Sequence, residues 1–353
     1  MFFCYNILME IKDYFNLAVE RKASDIHLVV GQPPILRING ELNPVEGAPQ
    51  ISREALHDFI FGLLSEEQKE KYLKNRDLDL SYEAGDSSRF RVNILWEKDQ
   101  VALVARIIAS VIPTMEELLF PQIVYDMIRA RQGLILVTGP TGCGKSTSLA
   151  AMINQINKER AANIVTLEDP IEYLFTSAKS IIMQRQLGTD MSSFGSSLKH
   201  VVRQDPDVIM VGEMRDLETI STTLTLAETG HLVLATLHTY NASQTIDRIV
   251  DVFPPFQQNQ IRLQLSLSLN GVISQQLLPK KGGGRIAARE VMINNSAILN
   301  IIRENKIPQI KTAIQTSAAD GMFSLEQDIK RLLEQGLIEK DVVEYYLQTL
   351  PKI

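Results

Sequence analysis

The sequence predicts an α/β protein. Its core is a mostly parallel sheet carrying a phosphate-binding loop, with a smaller α+β domain before it and a mostly helical region at its end. Three observations lead there. Residues 134–137 form an apolar run of strand length that leads into Gly139-Pro140-Thr141-Gly142-Cys143-Gly144-Lys145-Ser146, which matches the loop pattern G-x-x-x-x-G-K-[ST] at every fixed position. Beyond residue 122, strand-length apolar runs alternate with helix-length segments. Before residue 109, a hairpin signal and a clean period-2 strand mark a different kind of unit.

The elements follow in order. The apolar start, residues 1–9, has no basic leader and meets Glu10 at once, so it is expected to lead into the first helix rather than to act as a secretory signal, with a weak membrane or partner contact as the alternative. Helical spacing of Ile11, Phe15, Ala18 and Val19 predicts a helix over 11–22, and 25–30 reads as a strand closed by the turn Gly31-Gln32-Pro33-Pro34. Asn39-Gly40 predicts a hairpin between 35–38 and 41–42, and 53–73 suits one helix. In 89–94, Arg89, Arg91 and Asn93 alternate with Phe90, Val92 and Ile94; 101–108 is a further strand. Prolines at both ends of 113–121 suggest a linker, which sets the expected division at 1–108, 109–121 and 122–353.

In the second part the strand candidates are 134–138, 164–167, 208–211 and 232–236, and 146–156 reads as the helix after the phosphate loop. The stretch Lys280-Lys281-Gly282-Gly283-Gly284 is read as a flexible surface loop, and the chain from about 285 to 353 as helical. The composition, 45% hydrophobic and 22% charged, is that of a soluble globular chain, and no apolar stretch reaches the ~18–20 residues that span a bilayer. A net charge of −6 speaks against a nucleic-acid partner. The two cysteines, Cys4 and Cys143, are too few for a tetracysteine zinc site and fit a reducing compartment.

The chemistry concentrates at four places. In the loop, glycines let consecutive N–H groups turn toward phosphate oxygens, and the following helix N-terminus adds partial positive charge. Lys145 supplies a point charge for the β- and γ-phosphates, Ser146 an oxygen for Mg²⁺, and Thr147 continues the site. The loop implies binding of a nucleoside triphosphate. Next, Glu168-Asp169-Pro170-Ile171-Glu172 places three carboxylates after a strand, where a water-orienting base is expected, although a solvated acidic turn has the same composition. Third, a hydrophobic strand runs through Val211 into Gly212-Glu213-Met214-Arg215-Asp216, as a Walker B element does, with Gly212 where an Asp is usual. Fourth, residues 227–239 hold a strand bracketed by His231 and His238, the latter positioned to meet a γ-phosphate or its water.

In this order the segments resemble the secretion-type hexameric ATPases and, within them, the pilus-retraction ATPases of type IV pili, the PilT family. The resemblance covers nearly the whole chain. Residues 23–28, Ala-Ser-Asp-Ile-His-Leu, look like the family's N-terminal signature; 168–172 like its Asp box, 211–216 its Walker B and 227–239 its His box. Residues 245–254 also resemble it, and 297–304, Ala-Ile-Leu-Asn-Ile-Ile-Arg-Glu, are similar to the C-terminal signature tied to retraction. The resemblance implies a RecA-like ATPase core behind a PAS-like N-terminal domain, with ATP and Mg²⁺ as cofactors. It implies phosphate and metal binding by Lys145 and Ser146, water polarisation by Glu172, metal support by Glu213, and a site lined by His231 and His238. Arginines of the first domain, Arg91 and Arg106, are implied as trans-acting groups that reach nucleotide phosphate. It further implies a cytoplasmic homohexamer at the inner membrane, docked on a pilus platform protein and with a paralogous retraction ATPase as a further partner, that powers pilus retraction and twitching motility. Two other classes remain: a nucleic-acid translocase of related fold, which the acidic total opposes, and a non-hydrolysing ATP-binding ring scaffold, which Lys145, Glu172 and Glu213 oppose.

Overall fold

The structure, a computed structural model, describes residues 10–38, 40–84, 88–108 and 111–349, so the apolar start at 1–9, Cys4 and Asn39 lie outside the described residues. The chain divides into two units, Met1–Val111 and Ile112–Ile353. In the first, α1 (Ile11–Glu20) precedes β1 (Asp25–Val29), β2 (Ile35–Ile38) and β3 (Glu41–Pro44); α2 (Arg53–Leu63) and α3 (Glu66–Asn75) lead to β4 (Asp77–Glu83), β5 (Arg89–Glu97) and β6 (Gln100–Ile108). The strands pair antiparallel in the order β3-β2-β1-β6-β5-β4. Alternation decides which face is covered: Phe90, Val92 and Ile94 are fully buried, and Phe15 of α1 meets Phe90 edge-on with centroids 4.9 Å apart.

Two expectations differ here. Residues 53–73 form two helices, because Leu64 is extended and Ser65 starts a new one: its Oγ accepts from the Gln68 N–H at 3.3 Å, and Gln68 Oε1 accepts from the Ser65 N–H at 2.9 Å. The strand β4 had no apolar signal strong enough to announce it. It is an edge strand, and Asp77 and Asp79 on it accept from Asn93 Nδ2 of β5 at 2.9 and 3.3 Å.

The second unit runs α4 (Gln122–Ile128), β7 (Gly133–Thr138), α5 (Lys145–Glu159), β8 (Asn163–Glu168), β9 (Ile181–Gln186), α6 (Phe194–Val201), β10 (Val208–Val211), α7 (Leu217–Glu228), β11 (Leu232–Leu237), α8 (Ala242–Asp251), α9 (Pro255–Ser268), β12 (Leu269–Pro279), β13 (Arg285–Ile293), α10 (Ser296–Arg303), α11 (Ile310–Thr316), α12 (Leu325–Glu334) and α13 (Lys340–Thr349). The sheet order is β13-β12-β7-β11-β10-β8-β9, parallel except for β13, which pairs antiparallel with β12. Its central strands β7, β10 and β11 are mostly apolar because both faces are covered. Leu134, Leu136, Ile209, Val211 and Val233 join one core layer; Ile135, Val137, Val208, Met210 and Leu232 join the other.

The expected helical region from about 285 begins instead with a strand. Ile286 and Ala288 are buried on one side of the β12–β13 hairpin, against a cluster that includes Ile329 and Leu332 of α12; the period there is 2, not 3.6. Gly282, Gly283 and Gly284, all at positive φ, make the turn that lets the chain reverse. Much of the stretch read as a linker is part of this unit's core: Met115 and Phe120 are buried beside Val124, and the Arg289 guanidinium lies 4.0 Å over the Phe120 ring and donates to the Leu118 carbonyl at 2.9 Å. Among the described residues no helix is long and apolar enough to cross a membrane.

Candidate active site

The site is assembled where three parallel strands end. β7 delivers the loop 139–144, β10 delivers Glu213 and β11 delivers His238. Gly139 has φ +143°, and a Cβ there would lie 2.3 Å from the Gln275 carbonyl oxygen, so the loop needs glycine at this point. Gly144, at φ +88°, is the N-cap of α5 and has no side chain to occupy the helix end, which leaves the first N–H groups of α5 facing the loop.

Lys145 is the first residue of that helix and is buried. Its ammonium donates to the carbonyl oxygens of Gly139 (2.8 Å) and Pro140 (3.1 Å) and lies 3.4 Å from His238 Nδ1. Burial pushes its pKa below the usual 10.5, and Cys143, Glu213 and Glu172 pull the other way. His238 Nε2 is 3.2 Å from Glu213 Oε2. An ammonium only donates and a carboxylate only accepts, so His238 carries its proton on Nε2 and offers Nδ1 as acceptor. The other Glu213 oxygen is ion-paired with Arg215. Lys145, His238, Glu213 and Arg215 therefore form one continuous polar chain across the strand ends.

Gly212 separates β10 from this chain. A Cβ there would sit 3.1 Å from the Leu167 carbonyl oxygen, which accepts from the Gly212 N–H at 2.8 Å, so a side chain at this position would crowd β8. On β8, Glu168 is buried and accepts from Thr166 Oγ1 (2.6 Å) and Gln184 Nε2 (3.0 Å), while burial pushes its carboxyl above the usual range. It is an internal brace. Glu172, four residues on, is exposed at the surface of the following loop, and its charge is felt by Lys145. Tyr173 ties that loop to α5, its hydroxyl 2.9 Å from Thr147 Oγ1.

Four residues that the sequence did not single out matter here. Gln275 of β12 braces the loop from behind: its Oε1 accepts from Ser148 Oγ at 2.8 Å, and its Nε2 donates to the Cys143 carbonyl at 2.8 Å. Tyr173 and Arg215 act as described. Arg289 helps line a cavity of about 360 Å³ beside Gly144, Thr147, Ser148 and Leu277. A polar pair, Gln275-Gln276, inside an otherwise apolar stretch was the available signal for the first. Cys143 is a buried free thiol whose pKa is raised by burial, so it packs rather than reacts.

His231 does not join the site. It precedes β11 while His238 follows it, so the two are separated by the length of the strand, more than ~20 Å. Its Nδ1 donates to the Leu226 carbonyl at 3.0 Å, closing the end of α7. Arg91 and Arg106 are exposed on the sheet of the first unit.

Comparison with known proteins places this arrangement. The family described as Type II/IV secretion system protein matches residues 6–313. The chain belongs to that family. The Type IV pilus retractation ATPase PilT of Pseudomonas aeruginosa is 43% identical over 333 residues, covering 94% of this chain and 96% of the relative. The twitching motility protein of Neisseria gonorrhoeae is 46% identical over 306 residues, 86% of this chain and 82% of its own. A crystal structure of the pilus retraction motor PilT with bound ADP matches with a TM-score of 0.89 at 44% identity, over 95% of this chain and 96% of that one. As a member of the secretion family, the chain has a RecA-like core with a smaller N-terminal domain, and it binds nucleotide.

Proposed function

We propose that this chain is an ATP-hydrolysing motor, working as a cytoplasmic homohexamer at the inner membrane, that powers type IV pilus retraction and twitching motility. The observation that carries the reading is the meeting of Lys145, His238 and Glu213 at the ends of parallel strands, beside a loop whose backbone is shaped for phosphate. The platform protein of the pilus base is the proposed partner, and a paralogous retraction ATPase a further one.

The roles follow from the chemistry. Lys145 leaves the carbonyls of Gly139 and Pro140 and takes the β- and γ-phosphates as its partners. Glu172, a surface carboxylate on the loop that Tyr173 ties to α5, is the residue proposed to hold the attacking water. His238, with its proton fixed on Nε2 by Glu213, presents Nδ1 toward the phosphate end of Lys145. The donor set suits Mg²⁺: the Ser146 hydroxyl and the Glu213 carboxylate are hard oxygens, and Mg²⁺ takes few protein ligands and keeps several waters. Bound there, the ion neutralises charge on the transferring phosphoryl group. Glu213 must exchange Arg215 for this task. Thr147 and the cavity lined by Leu277 and Arg289 receive the nucleoside. Arg91 and Arg106 of another subunit act in trans on the phosphates.

Deletion of the gene in the host decides the direction of work. Retained, excess, non-retracting surface fibres are expected; a bald surface would mean assembly and overturn the retraction reading.

A further inference from the structure

One row of the first unit's sheet carries more charge than folding requires. Arg37 of β2, Asp25 of β1, Arg106 of β6 and Arg91 of β5 stand opposite one another strand by strand, and so share a face. The next row, Leu36, Ile26, Ala105 and Val92, takes the other face and is fully buried. Like charges placed directly opposite cost stability, and Arg91 faces Arg106 across the ladder. Asp25, the one carboxylate of this row, pairs with Arg37 and Arg106.

Its bonds are distributed unequally. Asp25 is only 8% exposed at its side chain, while Arg106 is 70% exposed. Asp25 Oδ1 accepts from Arg106 Nε at 2.8 Å; Oδ2 accepts from Ser24 Oγ at 2.7 Å and faces Arg37 Nε at 3.8 Å. Arg37 is anchored a second time, donating from Nη1 to the Gly40 carbonyl at 2.8 Å. Arg106 uses Nε alone: among the described residues, its Nη1 and Nη2 have no partner. Burial opposes ionisation of Asp25, but Ser24 and Arg106 outweigh it and hold the carboxyl below its usual range, so the clamp is charged at neutral pH.

We propose that Asp25 is a positioning residue for phosphate chemistry: it grips Arg106 by Nε and aims both terminal amino groups outward as a preset fork for a phosphate oxygen pair. Two parallel N–H···O bonds from a guanidinium are the strong, directional way to hold such a pair. An unclamped arginine would have to give up its rotamer freedom at the moment of reaction. This rests on the reading of Arg106 as a trans-acting arginine, and Asp25 acts only through it.

The test is steady-state ATP turnover by the full chain and by Asp25→Asn, Arg106→Ala and the double variant, with a melting curve for each. Asp25→Asn should lower kcat about tenfold with KM for ATP within about twofold, because a misaimed arginine is missed chiefly in the transition state. Arg106→Ala should lose more, and the double variant no more than Arg106→Ala. Unchanged turnover in Arg106→Ala overturns the trans-acting reading itself. A slow Arg106→Ala beside a fully active Asp25→Asn overturns the positioning role alone. So do losses that multiply in the double variant, or an Asp25→Asn defect that lies in KM. If Asp25→Asn fails to fold, Ser24→Ala, which removes the donor to Oδ2, must give a smaller kcat loss that vanishes on an Arg106→Ala background; a loss that persists there overturns the proposal.

Discussion

Lys145 shows how a single side chain ties the loop to the chemistry. With its ammonium turned onto the carbonyls of Gly139 and Pro140, it is buried with only partial compensation, and burial lowers its pKa. A lowered pKa means that the proton is lost in weaker alkali than an ordinary lysine requires. Bound triphosphate favours the charged form and raises the pKa again. Nucleotide binding is therefore expected to take up protons in alkaline solution, and affinity to decline as pH rises through the pKa of free Lys145. Calorimetric titration in two buffers of different ionisation enthalpy measures this; binding without proton uptake, at unchanged affinity, would show that Lys145 does not meet the phosphates. Lys145, Glu213 and His238, which meet in the structure, could be picked from the sequence because each follows a strand end that the hydrophobic pattern marks. His231 was grouped with His238 because both lie in the stretch that resembles the family's His box, yet the strand between them puts the two far apart. Gln275 and Tyr173 reach the loop and its helix from distant segments, and Arg289 lines the cavity beside them; no local pattern reports such placement.

At the scale of elements, local rules succeed where a side chain writes its own signal and fail where tertiary cover decides. The strands β7, β10 and β11 were legible because burial on both faces makes them mostly apolar. The hairpin β12–β13 was not, because a polar pair interrupts its first strand and its second follows a glycine-rich turn that also suits a linker. The break between α2 and α3 was written in the sequence as Ser65 followed by Gln68, a capping box inside what otherwise reads as one helical run. Ser65→Ala should cost about 1 kcal/mol locally. Hydrogen exchange in the first turn of α3 reads it directly: faster exchange there than in α2 is expected, and unchanged protection would mean that the packing of the buried Tyr72 alone fixes the helix.

For the whole molecule, the two units divide the proposed labour. The second supplies a nest of backbone N–H groups, a buried ammonium, and a carboxylate and an imidazole delivered by separate strands. The first supplies a charged row that its own core does not need. The stretch 109–121 reads as a spacer from its prolines, yet Met115 and Phe120 within it are buried in the core of the second unit. Activity of the proposed motor should depend wholly on the loop lysine. Phosphate release from Mg-ATP by the purified full chain, set beside Lys145→Ala under the same conditions, tests that dependence most directly. Sustained release from the first and none above background from the second is the expected result; equal release from both would contradict the account.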